Sequence, residues 1–262
     1  MAFPSRAFLA SRPHPAPQQE ELRQRFEERL LRELRVLEGE RVLLLDPDGQ
    51  RFAWSLRRAA GPAGRVLWLA PGTAGGATGP ECRPLEGEVL PLEDRERGSF
   101  DLAVARFHLG CDPDPRPRVR ELCRAVRRGG RVVLVDDDLE LLRLWPEPAG
   151  WSRTWAALLE GRRRRNLDPA LGRRLGALLQ VGGARLERNA FLFQGSCAGS
   201  PGFPGAVEGL ISLVEEEREG LTAGGLLEAG ALDVALRELS LWSRRPDAVL
   251  WYGVPLVEAL RP

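Results

Sequence analysis

An α/β fold built on a mostly parallel sheet is predicted by three features of the sequence. Apolar runs of strand length occur at Arg41–Leu45, Arg65–Leu69, Asp101–Phe107 and Arg131–Val135. Each is apolar throughout rather than alternating, the mark of strands buried on both faces. Segments with helical spacing separate them, and short connections close the units, as parallel pairing requires.

The elements follow in order. Leu22, Phe26, Leu30, Leu34 and Leu37 form a stripe at helical spacing on a charged segment. Gly39 ends it, and Arg41–Leu45 is the first strand. The turn Asp46-Pro47-Asp48-Gly49 leads into a helix carrying Phe52 and Leu56, which Gly61-Pro62 stops. Arg65–Leu69 is the second strand, and Ala70 to Pro80 is a Gly-rich loop. After the strand at Asp101–Phe107, Val119, Leu122, Cys123 and Val126 mark a helix that Gly129-Gly130 ends. Arg131–Val135 comes next. Asp168-Pro169 predicts a helix start, an N-cap followed by proline at the first helical position. That helix ends at Gly182-Gly183. Ala184–Gln194 reads as a strand, residues 203–244 as a helical insertion, and Ala248–Tyr252 as the start of a last strand.

With 262 residues, the chain is expected to form a flexible arm at 1–20 and one domain over 21–262, with the helical insertion at about 203–245. The 29 glycines and 21 prolines are abundant but short of a low-complexity composition. Basic and acidic residues nearly cancel, 38 against 37, so no nucleic-acid-coating surface is expected. Every basic residue is arginine. Without lysine, Schiff-base chemistry and a P-loop are both excluded. Cys82, Cys111, Cys123 and Cys197 lack metal-ligand spacing and read as reduced thiols of a cytoplasmic protein. No apolar run is long enough to cross a membrane.

The stretch Gly87–Asp101, with its Leu-Pro and Ser-Phe-Asp words, resembles a class I S-adenosylmethionine-dependent methyltransferase. Its continuation through Arg127-Arg-Gly-Gly-Arg-Val-Val-Leu-Val-Asp136 does so too, as does the tail Trp242–Tyr252. The resemblance implies a Rossmann-like, seven-stranded sheet in the order 3-2-1-4-5-7-6, with helices on both faces and only the seventh strand antiparallel. It implies S-adenosylmethionine as cofactor and methyl transfer to a small molecule by in-line attack. The implied cofactor surface comprises Asp46, Asp48, Gly49, Gln50, Ala70, Glu86, Gly87 and Arg106. Glu86 aligns with the acid that meets the adenine amine.

The same resemblance exposes departures. The family's first motif places an acid before Gly-x-Gly-x-Gly. Here Leu44 replaces the acid, and Asp46, Asp48 and Gln50 replace the three glycines. Ala70 stands where the family's acid holds the ribose hydroxyls, a loss of about 1.5–3 kcal/mol. Leu44 and Asp46 lie two apart on a strand and point the same way, so Asp46 is a candidate partner for the cofactor's ammonium. An ordinary strand-to-helix turn, with Gly49 at positive φ, is the plainer reading of these residues. A second function class is therefore carried forward: a pseudo-methyltransferase that has lost cofactor binding and serves as an interaction or regulatory subunit, with a protein partner or a second copy of itself.

Five further candidates carry alternatives. His108 follows the 101–107 strand and could act as general base, or be a buried packing residue. Arg106 could hold an acidic substrate, or pair with a neighbouring acid. Asp136-Asp137-Asp138 suggests a divalent metal, but lacks a second ligand set, so no metal is expected. Trp145, Trp151 and Trp155 could form a lid or core packing, and Arg162–Arg165 a phosphate contact or a solvated helix end.

Overall fold

The computed structural model describes residues 17–71, 82–85 and 92–262. They gather into two compact units, each built from several chain segments. One comprises Glu27–Asp137, Leu171–Leu192 and Val254–Pro262; the other takes the chain up to Phe26, Asp138–Ala170 and Phe193–Gly253.

The first unit holds the parallel sheet. Strands β1 (Arg41–Leu45), β2 (Arg65–Pro71), β3 (Cys82–Leu85), β4 (Phe100–Arg106) and β5 (Val126–Val135) pair in parallel, in the order β3-β2-β1-β4-β5. Beyond β5 lies β8 (Val249–Leu260), antiparallel to it, with Val135 opposite Leu256. β7 (Arg185–Cys197) also pairs with β8. With β8 counted as seventh and β7 as sixth, this is the expected order. The short β6 (Arg143–Trp145) is additional and pairs with Val249–Trp251.

Leu43, Leu45, Leu67, Leu69, Ala103 and Ala105 share one core with helices α3 (Arg116–Ala125) and α5 (Leu175–Val181), through Val119, Leu122, Leu175 and Leu179. The opposite-face residues Val42, Leu44 and Val104 are equally buried. So are Phe52 and Leu56 of α2 (Gln50–Ala59), and Leu30 and Leu34 of α1 (Pro17–Leu34). Burial on both faces is what apolar-throughout strands imply.

Several expectations need correction. Leu37 does not extend the α1 stripe: the helix ends at Leu34, Arg35 takes φ 49°, and Leu37 is exposed. The helix expected from Asp168 begins later. The Asp168 carboxylate accepts from the Ala170 amide at 3.0 Å, making a local turn, and a 3₁₀ turn at Leu171–Arg174 precedes α5. α3 ends at Ala125, before the Gly129-Gly130 pair, because the chain is already extended from Val126. Residues 17–20, expected in the arm, form the first turn of α1.

The second unit contains β6, the N-terminal part of β8 and helices α4 (Trp151–Arg164), α6 (Phe203–Glu216), α7 (Arg218–Ala223) and α8 (Ala229–Trp242). Phe203 and Trp242 pack with ring centroids 5.6 Å apart. Trp151 stacks on Trp155 at 5.0 Å, and the Trp155 indole donates to the Leu139 carbonyl. Both rings are buried, whereas Trp145 is exposed. Of Arg162–Arg165, the solvated helix end holds for Arg163, Arg164 and Arg165, which are exposed, while Arg162 is buried. Arg162 and Arg165 pair with the buried Glu217, Arg163 with Glu140 and Arg164 with Glu160.

Candidate functional site

In an open parallel sheet, ligands bind beyond the carboxyl ends of the strands, where strand order reverses. Here β1 lies between β2 and β4, so that position falls at the ends of these three strands. Asp46 follows β1 directly and Arg106 ends β4. Leu45 is opposite Ala105 in the register, which makes Asp46 and Arg106 neighbours.

Asp46 and Arg106 are joined to each other. The Arg106 guanidinium donates through Nε to Asp46 Oδ2 at 2.5 Å. Its terminal nitrogens donate to Glu27 Oε1 at 3.1 and 3.2 Å. It also stacks over the Phe52 ring, 4.4 Å from the centroid. Arg51 bonds the other oxygen of Glu27 at 2.8 Å, giving two carboxylates and two guanidiniums in one cluster. Glu27, Asp46 and Arg106 are all buried. Burial pulls the Arg106 pKa down, but Asp46 and Glu27 more than offset this, and it stands above the ordinary arginine value. Burial pushes the Asp46 carboxyl up, with Arg106 pulling back.

The turn after β1 is closed on itself. Asp46 Oδ1 accepts from the Asp48 amide at 2.9 Å, an Asx-type turn, and its carbonyl accepts from the Trp68 indole at 2.8 Å. Gly49 is not at positive φ as expected. It lies at φ −79° as the N-cap of α2. What requires glycine there is proximity, since a Cβ would sit 2.8 Å from both Asp46 Cβ and Trp68 Nε1. Asp48 is half-buried and Gln50, at the start of α2, is exposed. Ala70 is fully buried in β2 beside Pro84 of β3. Glu86 and Gly87 lie outside the described residues.

His108 is buried, and burial together with the charge of Arg118 drags its pKa down to about 3. Arg118 itself pairs with buried Asp112 at 2.9 Å. Asp136 is also committed locally: its carboxylate accepts from the amides of Leu109 at 2.8 Å, Gly110 at 3.2 Å and Asp137 at 2.9 Å. It therefore holds the 108–110 turn, and burial raises its pKa to about 6. Asp138 caps the next turn by accepting from the Glu140 amide. Among the described residues, no group of three or more His, Cys, Asp or Glu is placed to hold a metal. Cys111, Cys123 and Cys197 are free thiols, and burial raises Cys123 to about 11. No helix among the described residues is long and apolar enough to cross a membrane.

Asp46 and Arg106 were legible as site candidates, and of the two readings of Arg106 the geometry displays the ion pair. Glu27 was missed. Its one signal is its place beside Phe26 and one turn before Leu30, on the flank of the α1 stripe, where a carboxylate is buried with the apolar residues.

No protein-family model matches the sequence, and comparison with curated proteins finds no match. Solved structures do resemble it. A proposed methyltransferase from Bacillus halodurans C-125 superposes with TM-score 0.51 at 17% identity, over 89% of this chain and 98% of that one. A geranyl diphosphate methyltransferase, solved with GPP and sinefungin, gives 0.50 at 13%, over 94% and 82%. The [4+2]-cyclase SpnF gives 0.50 at 15%, over 93% and 82%. The chain has the fold of the class I S-adenosylmethionine-dependent methyltransferases.

Proposed function

We propose that the chain is a methyltransferase-fold protein that does not use S-adenosylmethionine and serves as an interaction or regulatory subunit in the cytoplasm. The observation that carries this reading is the Glu27–Arg106–Asp46 cluster. The methionyl end of the cofactor brings one ammonium and one carboxylate. Asp46 and Arg106 are the charges at the ends of β1 and β4, and each is already bonded to the other. Engaging either would strip a buried ion of its partner, which costs about 3–5 kcal/mol. With Ala70 in place of the ribose acid, a further ~1.5–3 kcal/mol is lost. Together these would move a micromolar ligand, at about −8 kcal/mol, to millimolar or weaker. Among the described residues, those at the methionyl and ribose positions do not fit the cofactor.

His108 does not rescue a catalytic role. A histidine held neutral with a pKa of about 3 is a poor general base near neutrality. Loss of methyl transfer leaves the fold usable, since function lies in grafted sites rather than in folds. An interaction role also has a surface available: Phe193 and Trp251, at 51% and 38% exposure, lie on paired strands, and Trp145 is 63% exposed.

The rival reading, methyl transfer from S-adenosylmethionine to a small molecule, rests on the fold. Isothermal titration with S-adenosylmethionine and S-adenosylhomocysteine separates the two. No binding heat up to millimolar ligand is the expected result, and a micromolar Kd overturns the proposal.

A further inference from the structure

The opposite end of the sheet carries a pocket of about 250 Å³ lined by Arg41, Arg65, Leu67, Arg95, Glu96 and Phe100. We propose that it binds a small phosphate-bearing anion of the pyrophosphate class.

Arg41 and Arg65 are the first residues of β1 and β2 and stand opposite each other in the register. Adjacent strands lie about 4.8 Å apart, so two guanidinium stems leave the same face side by side. Like charges so placed repel, and a chain selected only for stability would put an acid at one of them. Elsewhere the chain does so repeatedly, as at Arg118–Asp112, Arg127–Asp101 and Arg131–Glu40. Among the described residues, neither the Arg41 nor the Arg65 side chain has a hydrogen bond or an ion pair, and Arg41 Nε is buried without a partner. Asp101 accepts from the Arg41 backbone amide and from the Arg127 side chain.

The rest of the lining fits an anion. Phe100 would share a face with Leu102 in a regular strand, but a register shift between the two turns it onto the Leu43–Leu67 face. There its ring lies under the Arg41 guanidinium, 5.5 Å from centroid to Cζ, which fixes the cation at the pocket wall. Arg95 adds a third cation, paired at the surface with Glu93. Glu96 is the one acid in the lining, and its carboxylate is turned to the Glu93 amide at 2.7 Å. With Arg95 balanced by Glu93, Arg41 and Arg65 against Glu96 still leave a surplus of positive charge. The volume falls below the ~300–1,000 Å³ of sites for drug-sized ligands, so a compact anion fits. Arginine's planar fork suits phosphate oxygens. The pocket lies at the amino ends of the strands, so the proposal stands apart from the fate of the cofactor position.

The test is calorimetry on the full chain at low ionic strength with pyrophosphate, inorganic phosphate and sulfate as probes. Pyrophosphate should bind at least about tenfold more tightly than sulfate, with affinity falling as salt is added. Arg65→Gln, at an exposed position that should leave folding intact, should weaken pyrophosphate binding about tenfold or more. Arg41→Gln should do the same, and Arg245→Gln, whose guanidinium pairs with Asp247 far along the chain, should change nothing. Equal affinity for pyrophosphate and sulfate, or unchanged binding in Arg65→Gln, overturns the proposal.

Discussion

Arg106 and Asp46 terminate neighbouring strands and neutralise each other, with Nε 2.5 Å from Oδ2 and both side chains buried. The pair sits at the carboxyl ends of β1 and β4, where an open parallel sheet has its ligand crevice. Its geometry joins an acid at position 46 to a base at 106, two charges that look unrelated in the sequence.

Removing the shared cation should expose the cost of the arrangement. Arg106→Leu leaves Asp46 and Glu27 buried without it, and should lower unfolding stability by about 3–5 kcal/mol in urea titration. The triple variant Glu27→Gln, Asp46→Asn, Arg106→Leu removes the charges together and should recover much of that loss. A triple variant as unstable as the single one would mean the carboxylates are not what Arg106 compensates.

The response to pH follows from two buried groups with opposite signs. The Asp136 carboxyl, pushed by burial from 3.8 to about 6, keeps a proton that the unfolded chain releases. Its contribution to stability therefore falls as pH rises from about 4 to 6. His108, dragged by burial from 6.5 to about 3, refuses a proton that the unfolded chain takes up. Its contribution is complete above 6.5 and is lost as pH falls toward 3. The two slopes oppose each other in the overlapping window. His108→Gln leaves the Asp136 slope alone, so the variant should gain stability relative to the native chain as pH drops from 6 to 4. Denaturation midpoints across that range check it, and a difference that does not vary with pH would contradict the assignment.

Gly49→Ala tests the closed turn. The backbone there, at φ −79°, accepts any residue, so the cost is steric. A methyl 2.8 Å from Asp46 Cβ and Trp68 Nε1 must displace one of them, for about 1–3 kcal/mol. A lowered melting temperature is expected. An unchanged one would place the turn farther from Trp68 than the structure has it.

The parts of the fold that the sequence announced are those where one physical signal dominates. β1, β2, β4 and β5 each contain an apolar run, and burial on both faces leaves no other pattern available. β3 has four residues, includes Pro84 and pairs with β2 at the edge, so neither length nor pattern marks it. β6 has three residues and exists because β8 offers it a partner. The site shows the same division. Asp46 and Arg106 were visible as charges at strand ends, because ionisable residues there are uncommon. That they meet each other, and that Glu27 joins them from a helix 79 residues before Arg106, is fixed by packing that no local spacing encodes.

The central claim is that Asp46 is held by Arg106 and is not open to a ligand, and a double-mutant cycle measures this directly. Asp46→Asn, Arg106→Gln and the double variant are compared with the native chain by urea unfolding at neutral pH. A coupling energy of about 2 kcal/mol or more is the predicted result. Additive effects, with coupling near zero, would show two independent charges and contradict the account.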